Sequence, residues 1–445
     1  MKIYNERFVF EEEVDSPENL LDAVENFLRK KLPENTDFLR YAIVEVEGNK
    51  KVIEVAVISE VAGESGNMKA FAKPTLHDGK NHVSHRKKFA VANIVPTGVR
   101  AEVGGWIADA TPVTNAMSEC ADWVIAHPNV LNGSFINYGN RKSLYTEGYL
   151  LDHFFRKQLN LKELATTNSH NKIGVILDRG AKDVDKDSLT LAINAVESLR
   201  AVAGIEIVDC IITKEPIGGK AVLRESGAFG GEVKNPKTFL DAAKELIDKG
   251  ADAIAVATYI SVSMDDLDAY FRCELPNPYG GVEALISHTI SREFGVPSAH
   301  APIVPQSEKE AFLAKGVVDP RIAGEVVTPA YLGSVLRGLQ YAPHPVSRSM
   351  FDRASLGLED VRAVVVPYTC CGGIPVLAAQ KYGVPVIAVK ENKTVLDVTP
   401  EKLNMKNVII VDTYIEAFGI LLTMKAGVSL ESVRRPLTNL EIKGK

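Results

Sequence analysis

The sequence predicts an α/β protein with two doubly wound, mostly parallel, Rossmann-like lobes and a small N-terminal α+β cap. From residue 89 onward, short apolar runs alternate with longer amphipathic stretches, as strands alternate with helices in a parallel sheet. Several of these runs are rich in valine and isoleucine and apolar on both faces, which is typical of strands covered on both sides. The number of runs is too large for one small domain, which favours two lobes with a cleft between them.

The first ninety residues follow a different pattern. Apolar residues recur at helical spacing over 16–31, and residues 41–59 alternate about a Gly-Asn turn, as in a hairpin. A charged stretch of small residues follows this hairpin. We therefore predict an N-terminal cap with a basic arm at 1–90, a first α/β lobe at 91–335 and a second lobe at 336–445.

The remaining elements follow from the alternation of apolar runs and amphipathic stretches. The predicted strands are 89–95, 123–126, 173–177, 205–212, 253–257, 361–366, 386–389 and 408–411. The predicted helices are 188–203, 236–249, 282–294, 374–382 and 414–426. Two segments, from Gly280 and from Gly372, both have the order Gly-Gly, helix, Gly-Val-Pro, strand. This similarity supports two lobes, although Gly-Val-Pro is also a common way to end a helix and begin a strand.

Composition and charge narrow the possible partners. The net charge of −6 argues against a nucleic-acid partner. No uninterrupted apolar run of about 18 residues occurs, so no membrane span is expected. The five cysteines lack CxxC spacing, and the N-terminus resembles neither a signal nor a transit peptide. We expect a cytoplasmic protein, and a homo-oligomer on base rates alone.

Candidate binding residues follow the predicted strands directly. Open parallel sheets bind ligands beyond the carboxyl ends of their strands, and nearly every predicted strand here is followed by a polar or Gly-rich turn. An anionic small molecule is the expected ligand, held by Arg179 and the Gly-Gly turns. The substrate-binding candidates at these turns are Thr97, Gly98, Gly104, Gly105, Asn129, Asn132, Arg179, Gly372, Gly373 and Asn392.

The Cys-Cys-Gly-Gly turn after the strand 361–366 places a thiol where a helix begins. Free N–H groups and the helix dipole favour an anion there and lower the pKa of a cysteine. Cys371 is therefore the candidate nucleophile, with the N–H groups of Gly372 and Gly373 as oxyanion donors. Burial as small apolar residues explains Cys370 and Cys371 equally well.

Acid–base candidates also lie at strand ends. His127 and His300 are candidate bases because imidazole titrates near neutral pH, although a structural histidine is the commoner outcome. Asp109 is either a histidine partner or a cap for the segment after it, and Glu391 is either a buried acid or a surface group. No GxGxxG, P-loop lysine or HExxH set identifies a cofactor, and no metal ligands are predicted.

We expect an enzyme that acts on a small polar, anionic metabolite in the inter-lobe cleft, with hydrolysis, isomerisation and group transfer all open. One alternative is a non-catalytic sensor that binds a metabolite or nucleotide in the same cleft. A second alternative is a transferase that holds a phosphorylated or nucleotide-linked donor at Gly104 and Gly105.

Seven long motifs run in order between residues 89 and 436. They are VPTGVRAEVGGWIADATPV, WVIAHPNVLNGS, SLYTEGYLLD, EALISHTISREFGVPSAHAP, YTCCGGIPVLA, AVKENKTVLDVTPEKL and KAGVSLESVRRPL. Together they resemble the family catalogued as domain of unknown function 3326, found in bacteria, including cyanobacteria, and in some plastid-bearing eukaryotes. The resemblance implies no particular reaction.

The resemblance implies a set of shared positions, which adds His288 to the substrate-binding candidates. Two departures matter: Ser298 stands where a cysteine is often found, which argues against a two-cysteine mechanism, and Cys370 is an additional cysteine. The implied positions are Pro96, Thr97, Gly98, Gly104, Gly105, Asp109, His127, Pro128, Asn129, Asn132, Tyr145, Glu147, Gly148, His288, His300, Cys371, Gly372, Gly373, Glu391 and Asn392.

Overall fold

The computed structural model describes residues 1–59, 87–107, 109–131, 140–167, 169–181, 186–314, 316–328, 330–349 and 352–440. The strands are β1 Lys2–Phe10, β2 Thr36–Glu47, β3 Lys50–Ser59, β4 Ala90–Asn93, β5 Trp123–Ala126, β6 Ser143–Tyr145, β7 Asn160–Lys162, β8 Ile173–Leu177, β9 Ile207–Ile212, β10 Gly219–Leu223, β11 Phe229–Val233, β12 Ala253–Thr258, β13 Ile260–Ser261, β14 Ser298–Pro302, β15 His344–Val346, β16 Ser355–Leu356, β17 Val361–Pro367, β18 Val386–Val389 and β19 Val408–Val411.

Helices connect and cover these strands. They are α1 Leu20–Lys31, α2 Thr111–Cys120, α3 Pro128–Leu131, α4 Gly148–Phe155, α5 Lys186–Ala203, α6 Pro236–Asp248, α7 Met264–Phe271, α8 Gly280–Phe294, α9 Gln306–Leu313, α10 Ala323–Val327, α11 Leu332–Leu339, α12 Ile374–Tyr382, α13 Tyr414–Lys425 and α14 Leu430–Val433. None of the helices in the described ranges is long and apolar enough to cross a membrane.

The predicted α/β class is confirmed. A six-stranded parallel sheet, here the large sheet, has the order β19-β18-β17-β4-β5-β6, and a four-stranded parallel sheet, the small sheet, has the order β14-β12-β8-β9. All eight predicted strands occur within a few residues of their expected bounds. Strands β4, β5, β8, β12 and β18 are fully buried, and in β17 only Arg362 is not, as their apolar composition predicts, whereas β9 and β19 at the sheet edges are largely part-exposed.

A third, mixed sheet has the order β13-β10-β11-β1-β3-β2. It contains the predicted hairpin β2–β3, but β1, β10 and β11 were not predicted. Strand β1 is largely part-exposed and carries charged residues, so its sequence lacks the apolar run used to recognise buried strands. A fourth sheet has three antiparallel strands in the order β15-β7-β16.

Two sheets cross the predicted domain boundaries. The large sheet combines β4–β6 from the range 91–335 with β17–β19 from the range 336–445. The mixed sheet combines β1–β3 with β10, β11 and β13, and Ile3 of β1 pairs with Val233 of β11. The predicted boundaries follow the order of the elements along the chain. They divide both sheets, because the chain leaves each sheet and later returns to it. The predicted basic arm lies mostly in 60–86, outside the described residues.

The large sheet has a topological switch point between β4 and β17. These two strands pair in parallel, for example Val364 with Ala92, and the chain then proceeds outward from them in opposite directions. The turns after β4 and β17 therefore diverge and leave a crevice at the carboxyl edge of the sheet, which is where open parallel sheets bind ligands.

Candidate functional site

A cleft opens at the carboxyl ends of strands from both parallel sheets. It encloses about 890 Å³, including its opening to solvent. The turns after β4, β5 and β6 line one side, and β14, α10 and the beginning of α8 line the other. Because three of its lining side chains are His127, His288 and His300, we call it the histidine cleft. Its other polar lining residues are Arg40, Thr97, Asn129, Glu147, Asn277, Tyr279, Glu283, Ser287, Glu325, Tyr331 and Ser334.

His127 lies directly after β5 and is held in one tautomer. The backbone N–H of Val95 donates to its Nε2 at 3.1 Å, so the neutral ring carries its hydrogen on Nδ1. Burial, together with the positive charge of Arg40 nearby, lowers the pKa of His127 to about 3. The ring is therefore neutral at physiological pH and presents an N–H donor.

His288 forms a buried pair with Glu147. The carboxylate accepts a hydrogen bond from His288 Nδ1 through Oε1, while its Oε2 accepts from the N–H groups of Tyr149 (2.8 Å) and Leu150 (3.1 Å) at the beginning of α4. A carboxylate fixed in this way selects the Nδ1–H tautomer of the histidine. The lone pair of His288 Nε2 is then free, and this buried atom has no hydrogen-bond partner in the described part of the chain.

Gly148 allows this pair to approach Arg40. A Cβ atom at position 148 would lie 2.5 Å from His288 Cε1 and 3.1 Å from Arg40 Nη1. Arg40 comes from β2 of the mixed sheet, and its Nε lies 3.2 Å from Asp152 Oδ2. The guanidinium and the imidazole of His288 are thus neighbours at the edge of the histidine cleft.

His300 lies on β14 at the edge of the small sheet, and its side chain is buried. Neither ring nitrogen makes a hydrogen bond to a described residue, and the nearest carboxylate oxygen, Glu283 Oε1, is 3.6 Å from Nδ1. Glu283 belongs to the first turn of α8, which begins at Gly280 and has no side-chain cap. The cleft therefore has both N–H donors and carboxylate acceptors along its lining.

Glu325, on α10, is a second buried carboxyl group of the cleft, beside Glu147. It accepts a hydrogen bond from the hydroxyl of Tyr270 at 2.6 Å. Burial raises the pKa of Glu325 to about 7, against an ordinary value of 4.5. A substantial fraction of this carboxyl group is protonated at neutral pH, so it can donate or accept a hydrogen bond.

The raised pKa of Glu325 predicts a pH-dependent effect of Glu325→Gln. Between about pH 4.5 and 7 the folded state binds more protons at this group than the unfolded state, so the group's contribution to stability falls as the pH rises through this window and stays low above it. Glutamine keeps the bond from Tyr270 and cannot ionise. We expect the variant to be more stable than the wild type at pH 8, by up to about 3 kcal/mol, and similar at pH 4.5. Urea unfolding at both pH values checks this, with Glu431→Gln as an exposed control; a pH-independent difference would contradict it.

Residues 90–434 match the family described as "Protein of unknown function (DUF3326)". The chain belongs to this family. A relative from Synechococcus sp. (strain ATCC 27144 / PCC 6301 / SAUG 1402/1), named "Uncharacterized lipoprotein syc1174_c", is 34% identical over 339 residues, which cover 75% of this chain and 90% of the relative. No solved structure matches the chain. The resemblance drawn from the motifs is thereby confirmed.

The structure brings six predicted site residues of this DUF3326 chain together in the histidine cleft. Asn129 also ties the cleft together, because its Nδ2 donates to the carbonyl oxygens of Val95 (3.0 Å) and Gly104 (2.9 Å). Among described residues, no group of three or more His, Cys, Asp or Glu side chains is arranged to hold a metal ion. The six residues are Thr97, Gly105, His127, Asn129, His288 and His300.

Gly98, Gly104 and Asp109 shape the loop behind the cleft instead of lining it. Gly104 has a φ of +91°, and its N–H donates to Asp109 Oδ1 at 2.9 Å. That N–H is therefore not free to hold the predicted phosphate. Burial raises the pKa of Asp109 to about 7, and its partners are backbone N–H groups of the loop, with no histidine among those the structure records. Gly98 packs on β11, where Phe229 N–H donates to its carbonyl oxygen at 2.9 Å.

The Cys-Cys-Gly-Gly turn packs against the mixed sheet. Ile43 N–H of β2 donates to the carbonyl oxygen of Gly372 at 3.0 Å, and a Cβ atom on Gly372 would lie 2.1 Å from Ile43 O. Gly372 is thus required for a close backbone contact. Gly373 pairs with Ala42 in an isolated antiparallel bridge. Neither glycine lines the histidine cleft, but both line a second cavity beside it.

Cys371 differs from the low-pKa thiol expected at this turn. Its side chain is 0% exposed, and Sγ lies 3.5 Å from the carbonyl oxygen of Tyr368, to which it donates. Burial raises the pKa of the Cys371 thiol and, to about 12, that of Cys370. Local sequence could not reveal this, because burial opposes the effect of the helix terminus and depends on distant strands.

Cys371 is expected to react slowly with iodoacetamide in the folded protein. A buried, protonated thiol reacts only when the structure opens, so we expect the labelling of Cys371 to be roughly tenfold or more slower in the folded protein than in the protein unfolded by urea. Peptide mass spectrometry over time, with and without urea, measures the two rates. Rapid native labelling of Cys371 would restore the thiol hypothesis.

The other predicted residues lie elsewhere. Arg179 is exposed and donates to the carbonyl oxygen of Lys214. Glu391 is exposed and accepts from Tyr414 N–H at 2.6 Å, at the beginning of α13. Asn392 is fully buried and donates to the carbonyl oxygen of Val103 at 2.8 Å. Asn132 lies outside the described residues.

Sequence reasoning missed four charged residues of the cleft as site candidates: Arg40, Glu147, Glu283 and Glu325. Glu147 follows the short strand β6, which was not predicted, although the family motif SLYTEGYLLD contains it. Arg40 lies just before the predicted hairpin 41–59, in the part of β2 that was not predicted, while Glu283 and Glu325 lie on helices. A search limited to strand ends could therefore not find these three.

Proposed function

We propose that this chain is an enzyme that transfers a proton to or from a small polar metabolite in the histidine cleft. One observation carries the proposal: buried histidines converge on one cleft, and ring nitrogens of His288 and His300 have no partner among the described residues. A buried polar atom without a hydrogen bond costs about 1–3 kcal/mol. Such atoms are expected where a ligand supplies the missing partner.

The tautomers suggest a division of roles. His288 has Nδ1–H directed to Glu147 and a free lone pair on Nε2, as a general base requires. His127 is neutral and presents Nδ1–H, which suits it to hydrogen-bond a carbonyl or developing oxyanion. Glu147 acts through His288 and is a positioning residue.

The lining favours a metabolite with two kinds of polar group. Arg40, His127 Nδ1–H and the uncapped beginning of α8 suit a carboxylate or carbonyl oxygen. Glu283 and Glu325 suit a hydroxyl or amino group. We therefore propose a hydroxy-, amino- or oxo-carboxylate as the substrate class, in agreement with the expected anionic ligand.

We place the proposed chemistry at the histidines, since Cys371 is buried and does not line the cleft. The transferase alternative loses support because the N–H of Gly104 is already bonded to Asp109.

We also propose a cytoplasmic location, supported by five free thiols. The relative's name, a lipoprotein, makes cell fractionation the appropriate check.

Deuterium exchange tests the proposal through the proton transfer itself, whatever bond changes follow it. The protein is incubated in heavy water with 2-oxo- and 2-hydroxycarboxylates, and exchange of carbon-bound hydrogen is followed by NMR. We expect exchange with at least one compound, and its loss in His288→Gln. His170→Gln, at an exposed histidine paired with Glu206, is the matched control. A ligand that binds tightly without exchange or turnover would favour the sensor alternative.

A further inference from the structure

A second cavity adjoins the histidine cleft. It encloses about 1030 Å³, including its opening, and lies where the turns after β4 and β17 diverge at the switch point of the large sheet. Arg40, Thr97, Ala284 and His288 line both spaces. A ligand group that reaches the His288 ring from the cleft is therefore already at the boundary of the second cavity. We call this second cavity the apolar chamber.

Small residues on one face of the mixed sheet create much of the chamber. In the β2–β3 pair, Arg40 lies opposite Ala56 and Ala42 lies opposite Glu54, so all four side chains share one face. The two alanines leave space between the charged residues. Apolar side chains surround this space: those of Ile94, Val99, Phe229, Leu285 and Leu396.

The charged groups of the chamber are largely paired. Arg224 Nη1 lies 3.0 Å from Glu54 Oε2, which neutralises both charges. Arg224 Nε and Asn5 Oδ1 are buried without a partner in the described part of the chain. These two atoms can bind an uncharged polar group of a ligand, whereas the apolar side chains around the rest of the space favour a hydrocarbon or aryl body, because about 25 cal/mol is gained for each Å² of apolar surface removed from water.

We propose that the substrate is amphipathic, with a polar reacting head in the histidine cleft and an apolar body that extends past His288 into the apolar chamber. This inference rests on the proposed function, because it takes the cleft as the reacting site. It narrows the substrate class to carboxylates that carry a hydrocarbon or aryl body, as opposed to wholly polar sugars or phosphorylated compounds. The chamber lies at a switch point and continues from a polar cleft, as small-molecule sites of parallel sheets commonly do.

A chain-length series tests the inference. Calorimetric affinities are measured for 2-hydroxybutyrate, 2-hydroxyhexanoate and 2-hydroxyoctanoate. Each added methylene contributes up to about fourfold in affinity when buried, so we expect at least a roughly tenfold gain across the series. Ala56→Phe fills the chamber and is expected to cancel the gain. Ala56→Leu should cancel part of it, which keeps the test informative if the larger side chain prevents folding. Ala201→Phe, at an exposed position of α5, is the control and should retain the gain.

The outcomes separate this inference from the proposed function. Affinity that does not depend on chain length overturns the inference, as does an equal gain in wild type and both Ala56 variants. Deuterium exchange with short carboxylates but no chain-length gain would leave the proposed function standing alone. If affinity rises with chain length and Ala56→Phe cancels the rise, but no compound exchanges deuterium, then the chamber binds the apolar body and the proposed function is wrong.

Discussion

Glu147→Gln is expected to lower turnover by on the order of 10³–10⁴-fold while the protein stays folded. The glutamine oxygen can still accept from the N–H groups of Tyr149 and Leu150, where Glu147 Oε2 now accepts at 2.8 and 3.1 Å. Its NH₂ group then faces His288 Nδ1. An N–H donor there requires the lone pair on Nδ1 and moves the hydrogen to Nε2. The free lone pair that a general base needs is lost.

Nitrogen-15 NMR of the imidazole rings measures this change of tautomer directly. A merely structural role for Glu147 would not reverse the tautomer of His288. Glu163→Gln is a matched control, because Glu163 is also buried and accepts a backbone N–H, from Thr166 at 2.9 Å, but has no histidine partner among its contacts with described residues. If His288 in Glu147→Gln keeps its hydrogen on Nδ1 and turnover falls less than tenfold, the proposed base is wrong.

Most strands of the two parallel sheets could be predicted because their apolar residues form clear runs. Strands 123–126, 173–177, 386–389 and 408–411 have the predicted bounds. Edge and mixed-sheet strands carry polar residues on exposed faces, so β1 and β10 do not stand out from loops. Which strands pair is set by contacts across hundreds of residues, as between β4 and β17, and no local pattern contains that information.

The histidines of the cleft could be predicted for a geometric reason. The sequence places His127 directly after one strand and His300 at the end of another, so the rule for carboxyl edges of parallel sheets pointed to both, although in the structure His300 is the third residue of β14. The charged groups beside these histidines come from other elements: Glu147 from the beginning of α4 and Arg40 from the mixed sheet. The sequence therefore indicated the turns that line the cleft better than the charged groups that surround its histidines.

The Cys-Cys-Gly-Gly turn shows the limit of a local motif. A strand, a Gly-Gly turn and a helix describe both an anion cradle and a close packing contact, because each needs a backbone without side chains. What distinguishes them is the group opposite. Here it is the backbone of β2 at Ile43, more than 300 residues away in the chain.

Gly372→Ala is consequently expected to lower the free energy of unfolding by roughly 2–4 kcal/mol. The new Cβ atom would lie 2.1 Å from the carbonyl oxygen of Ile43, a backbone atom that cannot rotate away. Relief of this contact requires β2 and the turn to separate, which also weakens the 3.0 Å hydrogen bond from Ile43 N–H to Gly372. Urea unfolding followed by circular dichroism measures the change.

Gly373→Ala provides the matched control within the same turn. Its Cβ atom would meet only Pro375 Cδ, at 3.8 Å, and its φ of −81° suits alanine. Because Gly373 is the residue before α12, Gly373→Ala should lower the free energy of unfolding by only a few tenths of a kcal/mol to about 1 kcal/mol. An anion cradle would make both glycines matter for ligand binding and neither strongly for stability. A large stability loss confined to Gly372 would identify this glycine as a packing contact, whereas equal and small losses would favour an anion cradle as the reason for the Gly-Gly pair.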